Sequence, residues 1–367
     1  VPIANGPREI LKTYRKYHVE PPEHLVKAAE LRSAQIAGMM AGGQGYDDSP
    51  KNENGTVYIT PMRIGGVPLN LIVDTGSPDL WTYSDLQLPE NRENHSYYNT
   101  SNGQLLEDYY FRTYYADYSG AYGPVYLDTV TIGPLSVPQQ AIGAAEDVWY
   151  FDDTRADGIL GLSFSEFSSI RPYPLNNFFD NLRPYLSAPV FAVSLTMNDV
   201  GSYDFGFIDH EKYASDLVWT DVNNTFGYWA FAASGFALRN YTFPDYHMDI
   251  ITDTGTTLTY LDPMIVRLYY DLVPRARYSL VDGAWVFPCG SRLPDLTLLL
   301  ENGEKLVAFG YQFNWEPLNP ATPNICYGGL QSSEWPGFNI LGATFLDSKY
   351  VVHEYREEAS RLGFADR

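Results

Sequence analysis

The chain has 367 residues, enough for two or more domains with cores of their own. Its 24 Lys and Arg stand against 45 Asp and Glu, a formal charge of −21, which argues against nucleic acid or an anionic membrane as a partner. No apolar stretch approaches the ~18 to 20 residues that a membrane-spanning helix needs. The chain begins at Val1 with neither an initiator Met nor a signal peptide, which reads as a processed or truncated start whose secretory leader is gone.

Residues 1 to about 43 differ in composition from the rest. Arg8, Lys12, Arg15, Lys16, Lys27 and Arg32 face four Glu there, so the remainder is near −23 (−21 − 2). The pattern over 7–35 predicts helix, broken in two by Pro21-Pro22. A Gly, Ala and Met stretch over 37–46 and a polar run over 47–56 then read as a linker. The Gly-rich run has no strand before it, which argues against a phosphate loop.

From 55 to 210 short strands follow one another, punctuated by Gly, Pro, Asn and Asp, with a helical patch near 175–185. Within this region Leu69, Leu71, Ile72 and Val73 run into Asp74-Thr75-Gly76-Ser77. That pattern places a carboxylate where a buried strand meets a tight turn, and ionising it alone there is costly. Residues 105–132 read as a long hairpin turning near Asp117 to Gly120. Beyond 211 the strand pattern returns, with a helix over 262–273 announced by Asp262 and Pro263. The join near 205–225 has no Ser/Gly-rich linker, which predicts closely packed halves.

A lone Asp-Thr-Gly is an ordinary turn sequence, but this chain carries two. Ile250 and Ile251 lead into Asp253-Thr254-Gly255-Thr256, 179 residues after Asp74 (253 − 74). Ile159-Leu160-Gly161 follows the first copy by 85 residues (159 − 74), and Ile340-Leu341-Gly342 follows the second by 87 (340 − 253). Two blocks in one order at nearly the same offset mark an internal duplication.

At these residues the chain resembles the pepsin-like aspartic endopeptidases, most closely the secreted fungal penicillopepsin and aspergillopepsin group. The resemblance runs over roughly 57–366 and includes the TPMRIGG strand before the first motif, YDFGFID at 203–209, and the closing FLDSKYVV and GFAD segments. It implies an all-β, bilobal fold of two pseudo-twofold-related, barrel-like lobes with a few short helices. The division it implies is a prosegment and activation linker over 1–45, an N-terminal lobe over 46–210 and a C-terminal lobe over 211–367.

The chemistry implied is peptide hydrolysis by a water activated between Asp74 and Asp253, which share one proton because two close, shielded carboxylates do not both ionise. The charged member is the general base and the protonated one donates to the carbonyl oxygen. Thr75 and Thr254 would tie the halves together, Ser77 and Thr256 orient the outer oxygens, and Gly76 and Gly255 let backbone N–H groups approach. Tyr115, Ala116 and Asp117 map to a mobile flap, with Trp81 donating its indole N–H to Tyr115; by its residues alone Tyr115 reads as a cross-strand aromatic.

Cys289 and Cys326, the two cysteines, are implied to form one disulfide, the alternative being two buried thiols. A lysine of the prosegment would face the two Asp, Lys27 first and Lys16 second, whereas composition alone also allows a disordered basic arm. Asn54, Asn94, Asn99, Asn223 and Asn240 open Asn-x-Ser/Thr sequons, in keeping with a secreted or vacuolar protein. The implied partners are a peptide or protein substrate, pepstatin-type inhibitors and the chain's own prosegment, in a monomer. No metal or other cofactor is expected: the six His are scattered, and no Gly-x-Ser-x-Gly turn is present.

The chain departs from the family pattern at Pro78, at Ala116 and Tyr118 where the flap usually has glycines, at Ala343 where Asp is usual, and at His353-Glu354 in place of Phe-Asp. Three functions stay open at this point: an acid endopeptidase preferring bulky apolar or aromatic residues around the cut, a pepsin-fold enzyme turned to a non-proteolytic reaction with the same carboxylates, and a silent binding protein.

Overall fold

The computed structural model describes residues 6–16, 19–30, 58–114, 119–149, 151, 155–196, 201–318, 324–333 and 339–367. Strands are numbered β1 to β25 in chain order. Six of them, β1 (Ile59–Ile64), β2 (Val67–Asp74), β8 (Gly158–Gly161), β3 (Leu80–Tyr83), β6 (Leu135–Ala145) and β5 (Gly120–Ile132), pair in that order. They close on themselves through Arg63↔Thr131. β4 (Gln104–Tyr114) extends β5 as an antiparallel hairpin, Tyr114 facing Gly120; its tip over 115–118 lies outside the described residues.

The duplication reappears in the strand pairing. β2, β8, β3 and β6 join by parallel, antiparallel and parallel ladders. The same sequence of ladders joins β14 (Met248–Thr252), β23 (Asn339–Leu341), β15 (Thr259–Leu261) and β22 (Leu330–Ser332). Val73 sits beside Leu160 and Thr252 beside Leu341, so each acid follows a strand pinned by an Ile-Leu-Gly segment. The strands that pin the acid-bearing ones, β8 and β23, are buried at every position.

A five-stranded sheet joins the halves. β9 (Val190–Ser194) and β10 (Ser202–Phe205) come from before residue 210, and β11 (Val218–Asp221), β24 (Lys349–Glu354) and β25 (Arg361–Asp366) from after it. Its inner face carries Phe191, Val193, Val351, Leu362 and Phe364 into the main core, and its outer face buries Val190, Ala192, Tyr350 and Val352 in a separate cluster.

The helices are short. α1 spans Gly6–Lys16, α2 residues 23–30, α3 Phe178–Leu182, α4 Pro263–Asp271 and α5 Ala343–Leu346. α4 starts where the sequence places it: the Asp262 side chain accepts the Met264 N–H at 2.8 Å, and Pro263 occupies the first turn. None of these helices is long and apolar enough to cross a membrane.

Cys289 and Cys326 are joined in a disulfide that ties the end of β17 (Ala284–Pro288) to β21 (Ile325–Gly328), neighbours in a four-stranded sheet with β16 (Arg277–Ser279) and β20 (Asn314–Pro317), and closes a loop of 37 residues. Reduction should cost about 4 kcal/mol on the chain-entropy model. A urea midpoint unchanged by reductant would contradict that.

Asp157, just before β8, is buried and accepts the backbone N–H groups of Asn70 and Ser96, each at 2.8 Å. Burial pushes its carboxyl up to about 6 despite those two bonds. A raised carboxyl holds its proton more tightly when folded, so its contribution is full below the unfolded value and is lost as pH rises through about 6. Stability should therefore fall by about 3 kcal/mol between pH ~4 and ~7 from this group alone. Urea unfolding of Asp157→Asn should lack that part of the slope. Asp79, buried against Ser168 Oγ (2.5 Å) and Ser169 N–H (2.7 Å), is raised for the same reason and adds to the trend.

Candidate active site

β2 and the β14 turn deliver Asp74 and Asp253 to one point between the halves, both buried. Thr75 N–H donates to Thr254 Oγ1 (3.0 Å) and Thr254 N–H to Thr75 Oγ1 (3.1 Å). Each hydroxyl then donates across the interface to a strand carbonyl, Thr75 to Thr252 O (3.1 Å) and Thr254 to Val73 O (2.7 Å). This two-fold set leaves no donor of the four unpaired and fixes one carboxylate relative to the other.

Within each turn the glycine N–H reaches the inner carboxylate oxygen, Gly76 to Asp74 Oδ1 at 2.8 Å and Gly255 to Asp253 Oδ1 at 2.9 Å. Ser77 Oγ donates to Asp74 Oδ2 at 2.6 Å, and Thr256 Oγ1 donates to Asp253 Oδ2. The glycines are required by the opposite half. A Cβ on Gly76 would lie 2.6 Å from Asp253 Oδ1, and one on Gly255 would collide with Asp74 Oδ1.

Between the carboxylates sits Lys16, the last residue of α1. Its Nζ is 3.0 Å from Asp74 Oδ1 and 2.8 and 2.7 Å from Asp253 Oδ1 and Oδ2. Burial alone would lower the ammonium, but attraction to Asp253 and Asp74 outweighs it and raises it. Burial pushes Asp74 up, against Lys16 and with the nearby charge of Asp253. Burial also acts upward on Asp253, yet Lys16 and the hydrogen bonds from Asp74, Lys16 and Thr256 hold it below the usual carboxylate range. With Lys16 seated, the two carboxyls are thus pushed apart, Asp74 upward and Asp253 downward.

The placing of Lys16 comes from packing rather than from charge. Ile10, Leu11 and Tyr14 of α1, with Leu25 and Ala29 of α2, bury against second-half residues including Leu258, Tyr260 and Tyr327. Glu9 Oε2 accepts the Thr257 hydroxyl at 3.1 Å, and Tyr260 OH donates to Glu9 O at 3.3 Å. That seat points the C-terminal end of α1 at the dyad. Lys27, placed first by the sequence reading, is exposed on α2. The order of the two lysines is therefore reversed, because α2 turns that side chain to solvent.

Trp81 is fully buried on β3 and packs edge-on to Phe151 at 5.1 Å. Tyr115, Ala116 and Asp117, with Tyr118, lie outside the described residues, as does Asn54. Asn94, Asn223 and Asn240 are exposed and Asn99 is half-buried. Among the described residues no group of three or more His, Cys, Asp and Glu is placed to hold a metal ion. One neighbour of the dyad carries no sequence signal: the hydroxyl of half-buried Tyr228 is pushed up by burial, with Lys16 opposing and the charges of Asp253 and Asp74 adding. Tyr228 belongs to neither copy of the motif, and only the chain path brings it there.

Residues 57–367 match the family model described as Eukaryotic aspartyl protease. Aspartic protease pepA of Leptosphaeria maculans is 37% identical over 369 residues, covering 99% of this chain and 90% of that one. Aspergillopepsin-1 of Aspergillus fumigatus is 40% identical over 365 residues (99% and 88%). Penicillopepsin-3 of Penicillium janthinellum is 38% identical over 354 residues (96% and 86%). The crystal structure of the aspartic proteinase from Irpex lacteus superposes with a TM-score of 0.70 over 85% of this chain and 95% of that one, at 24% identity, which speaks to the fold. With two matched acid-bearing turns meeting at one buried point and relatives of that name along almost its entire length, the chain belongs to the pepsin-like aspartyl protease family and is an aspartic endopeptidase.

Proposed function

We propose that the protein is an acid-acting endopeptidase held silent by its own first 45 or so residues. The observation that carries this reading is Lys16 Nζ lying within 3.0 Å of both carboxylates. The ammonium stands where a water would be held: an oxygen at that point reaches Asp74 and Asp253 at once. Once Lys16 withdraws, Asp74 and Asp253 share one proton: the ionised member takes a proton from that water, which attacks the peptide carbonyl, and the protonated member donates to the carbonyl oxygen. Thr75 and Thr254 hold the geometry, and Tyr115 and Asp117 belong to a flap that shields it. The substrate is a peptide lying between lobes assigned to 46–210 and 211–367, with bulky apolar or aromatic residues around the cut. A chain acting in this way fits a monomer delivered by the secretory route, with Asn94, Asn223 and Asn240 as the glycan acceptors most open to solvent.

The pH dependence follows from the shifts. Lys16 is raised, so its charge persists far above neutrality. Asp253 is lowered, so its contribution to the contact is present above the ordinary carboxylate range and is lost as pH falls through its folded value. The attraction between a basic segment and a body near −23 weakens earlier, as the body's other carboxylates protonate near pH ~4 while Asp253 is still charged. Incubation at about pH 4 should remove the first segment and yield pepstatin-sensitive cleavage of denatured globin. A full-length chain that stays intact and is fully active would refute it. The non-proteolytic alternative is not favoured, since the relatives are named as proteases along nearly the whole chain.

A further inference from the structure

We propose that His353 is a positioning residue of the catalytic pair and the group that sets the acid limit of the folded enzyme. As a neutral ring it fills the junction behind Thr252 and Asp253, and as an imidazolium it cannot stay there.

His353 is on β24, in the sheet that joins the halves, and is 1% exposed. Its ring lies flat on Phe191 of β9, with centroids 4.3 Å apart and planes 7° from parallel. Trp229 of the second half meets it edge-on at 5.0 Å. Nε2 is 3.4 Å from Thr252 Oγ1, and the carbonyl of Thr252 is the one that accepts Thr75 Oγ1 across the dyad. The ring therefore touches first-half and second-half residues at once and abuts the residue that precedes Asp253. A cation sandwiched there would lose its hydration.

None of the surrounding elements supplies a counter-charge among the described residues. β9 has no ionisable side chain, and on β25 the partner across the ladder is Leu362. On β14, Asp249 is exposed. Asp253, beyond β14, is engaged by the Thr256 hydroxyl and the Gly255 N–H, contacts that remain when Lys16 leaves. Tyr228 precedes Trp229 and is itself held in its neutral form. On β24, Glu354 pairs with Arg361 and Lys349 with Asp366, while Tyr350 lies in the outer cluster. In keeping with this, burial lowers His353 to about 3.

A histidine lowered on folding binds its proton only in the unfolded chain between the two values. Stability is then lost as pH falls from about 6.5 toward about 3. The positioning role rests on Asp253 acting in catalysis; the stability role does not, and the two are read separately.

The test uses the activated enzyme. In wild type, nitrogen-detected NMR should show one of the four histidines left after activation, His95, His210, His247 and His353, neutral at pH ~4, well below the ordinary imidazole value. Its signal should be absent from His353→Phe, a variant that keeps the stacked ring. The urea midpoint of His353→Phe should fall less on acidification, by a slope approaching one proton, and the acid limb of its kcat should move to lower pH with KM unchanged. If that variant does not fold, His353→Leu replaces it, and the wild-type titration stands by itself. A His353 that titrates near 6.5, or a variant with the wild-type slope and acid limb, overturns the proposal. A moved urea slope with an unmoved kcat profile overturns the positioning role alone. An Asp253→Asn enzyme that remains active would instead remove the dyad reading and leave the titration result intact.

Discussion

Asp253→Asn in the activated enzyme should lower kcat by about 10³-fold or more, the scale of losing a positioned general base together with its partner's shared proton. KM should change little, because the amide keeps the shape and still accepts the Gly255 N–H that now meets Oδ1 at 2.9 Å. Asp74→Asn should be as damaging to kcat, since the pair acts as a unit. The two variants should separate in the full-length chain. Lys16 Nζ meets both oxygens of Asp253, at 2.8 and 2.7 Å, and one of Asp74, at 3.0 Å. Asp253 is held below the usual carboxylate range and Asp74 is pushed above it. Neutralising Asp253 should therefore loosen the first segment at neutral pH more than neutralising Asp74 does. Steady-state kinetics and the susceptibility of residues 1–45 to an added protease measure the two effects. Residual activity within tenfold of wild type in either variant would exclude the dyad mechanism.

Lys16→Met should produce a full-length chain that cleaves peptide substrate at pH ~5.5, where the unaltered full-length chain is silent. Removing one partner of a buried ion pair leaves the other buried and uncompensated, a cost of about 3 to 5 kcal/mol. That corresponds to a seat about 10² to 4 × 10³ times weaker. The remaining hold is apolar, through Ile10, Leu11 and Tyr14, with the polar contact of Glu9 to Thr257. Lys27→Met should behave as the unaltered chain, because its side chain is exposed on α2. At pH below the ordinary carboxylate range the Lys16 variant and wild type should converge, as Asp253 loses its charge in both. A Lys16 variant as silent at pH ~5.5 as the parent would mean that the lysine does not hold the segment in place.

Much of this is legible in the amino-acid order because it is local and repeated. An apolar strand ending in Asp-Thr-Gly is a short-range pattern. Its recurrence after 179 residues with an Ile-Leu-Gly segment behind each copy predicts two equivalent strand crossings, and both are present with the same ladder types. The α4 start at Asp262-Pro263 is legible for the same reason, since a cap is decided within three residues.

Other features depend on where distant parts come to rest. The first segment offers several lysines in helix-prone surroundings, and nothing within it distinguishes Lys16 from Lys27. The seat of an apolar helix face on the second half decides that, by aiming one helix end at the dyad. His353 is visible in the sequence only as an unusual residue in a strand; its enclosure by Phe191 and Trp229 comes from a sheet built from both halves. Thus the chain order by itself determined the strand pattern and the duplicated acid-bearing turns, because strand periodicity and turn residues act over a few positions, and the resemblance those turns carry implied the bilobal fold and the shared chemistry. The tertiary structure alone decided which lysine meets the acids, which of the two carboxyls is pushed up and which down, and which histidine is sealed away from water, because charge and burial at a point are set by every segment that folds around it.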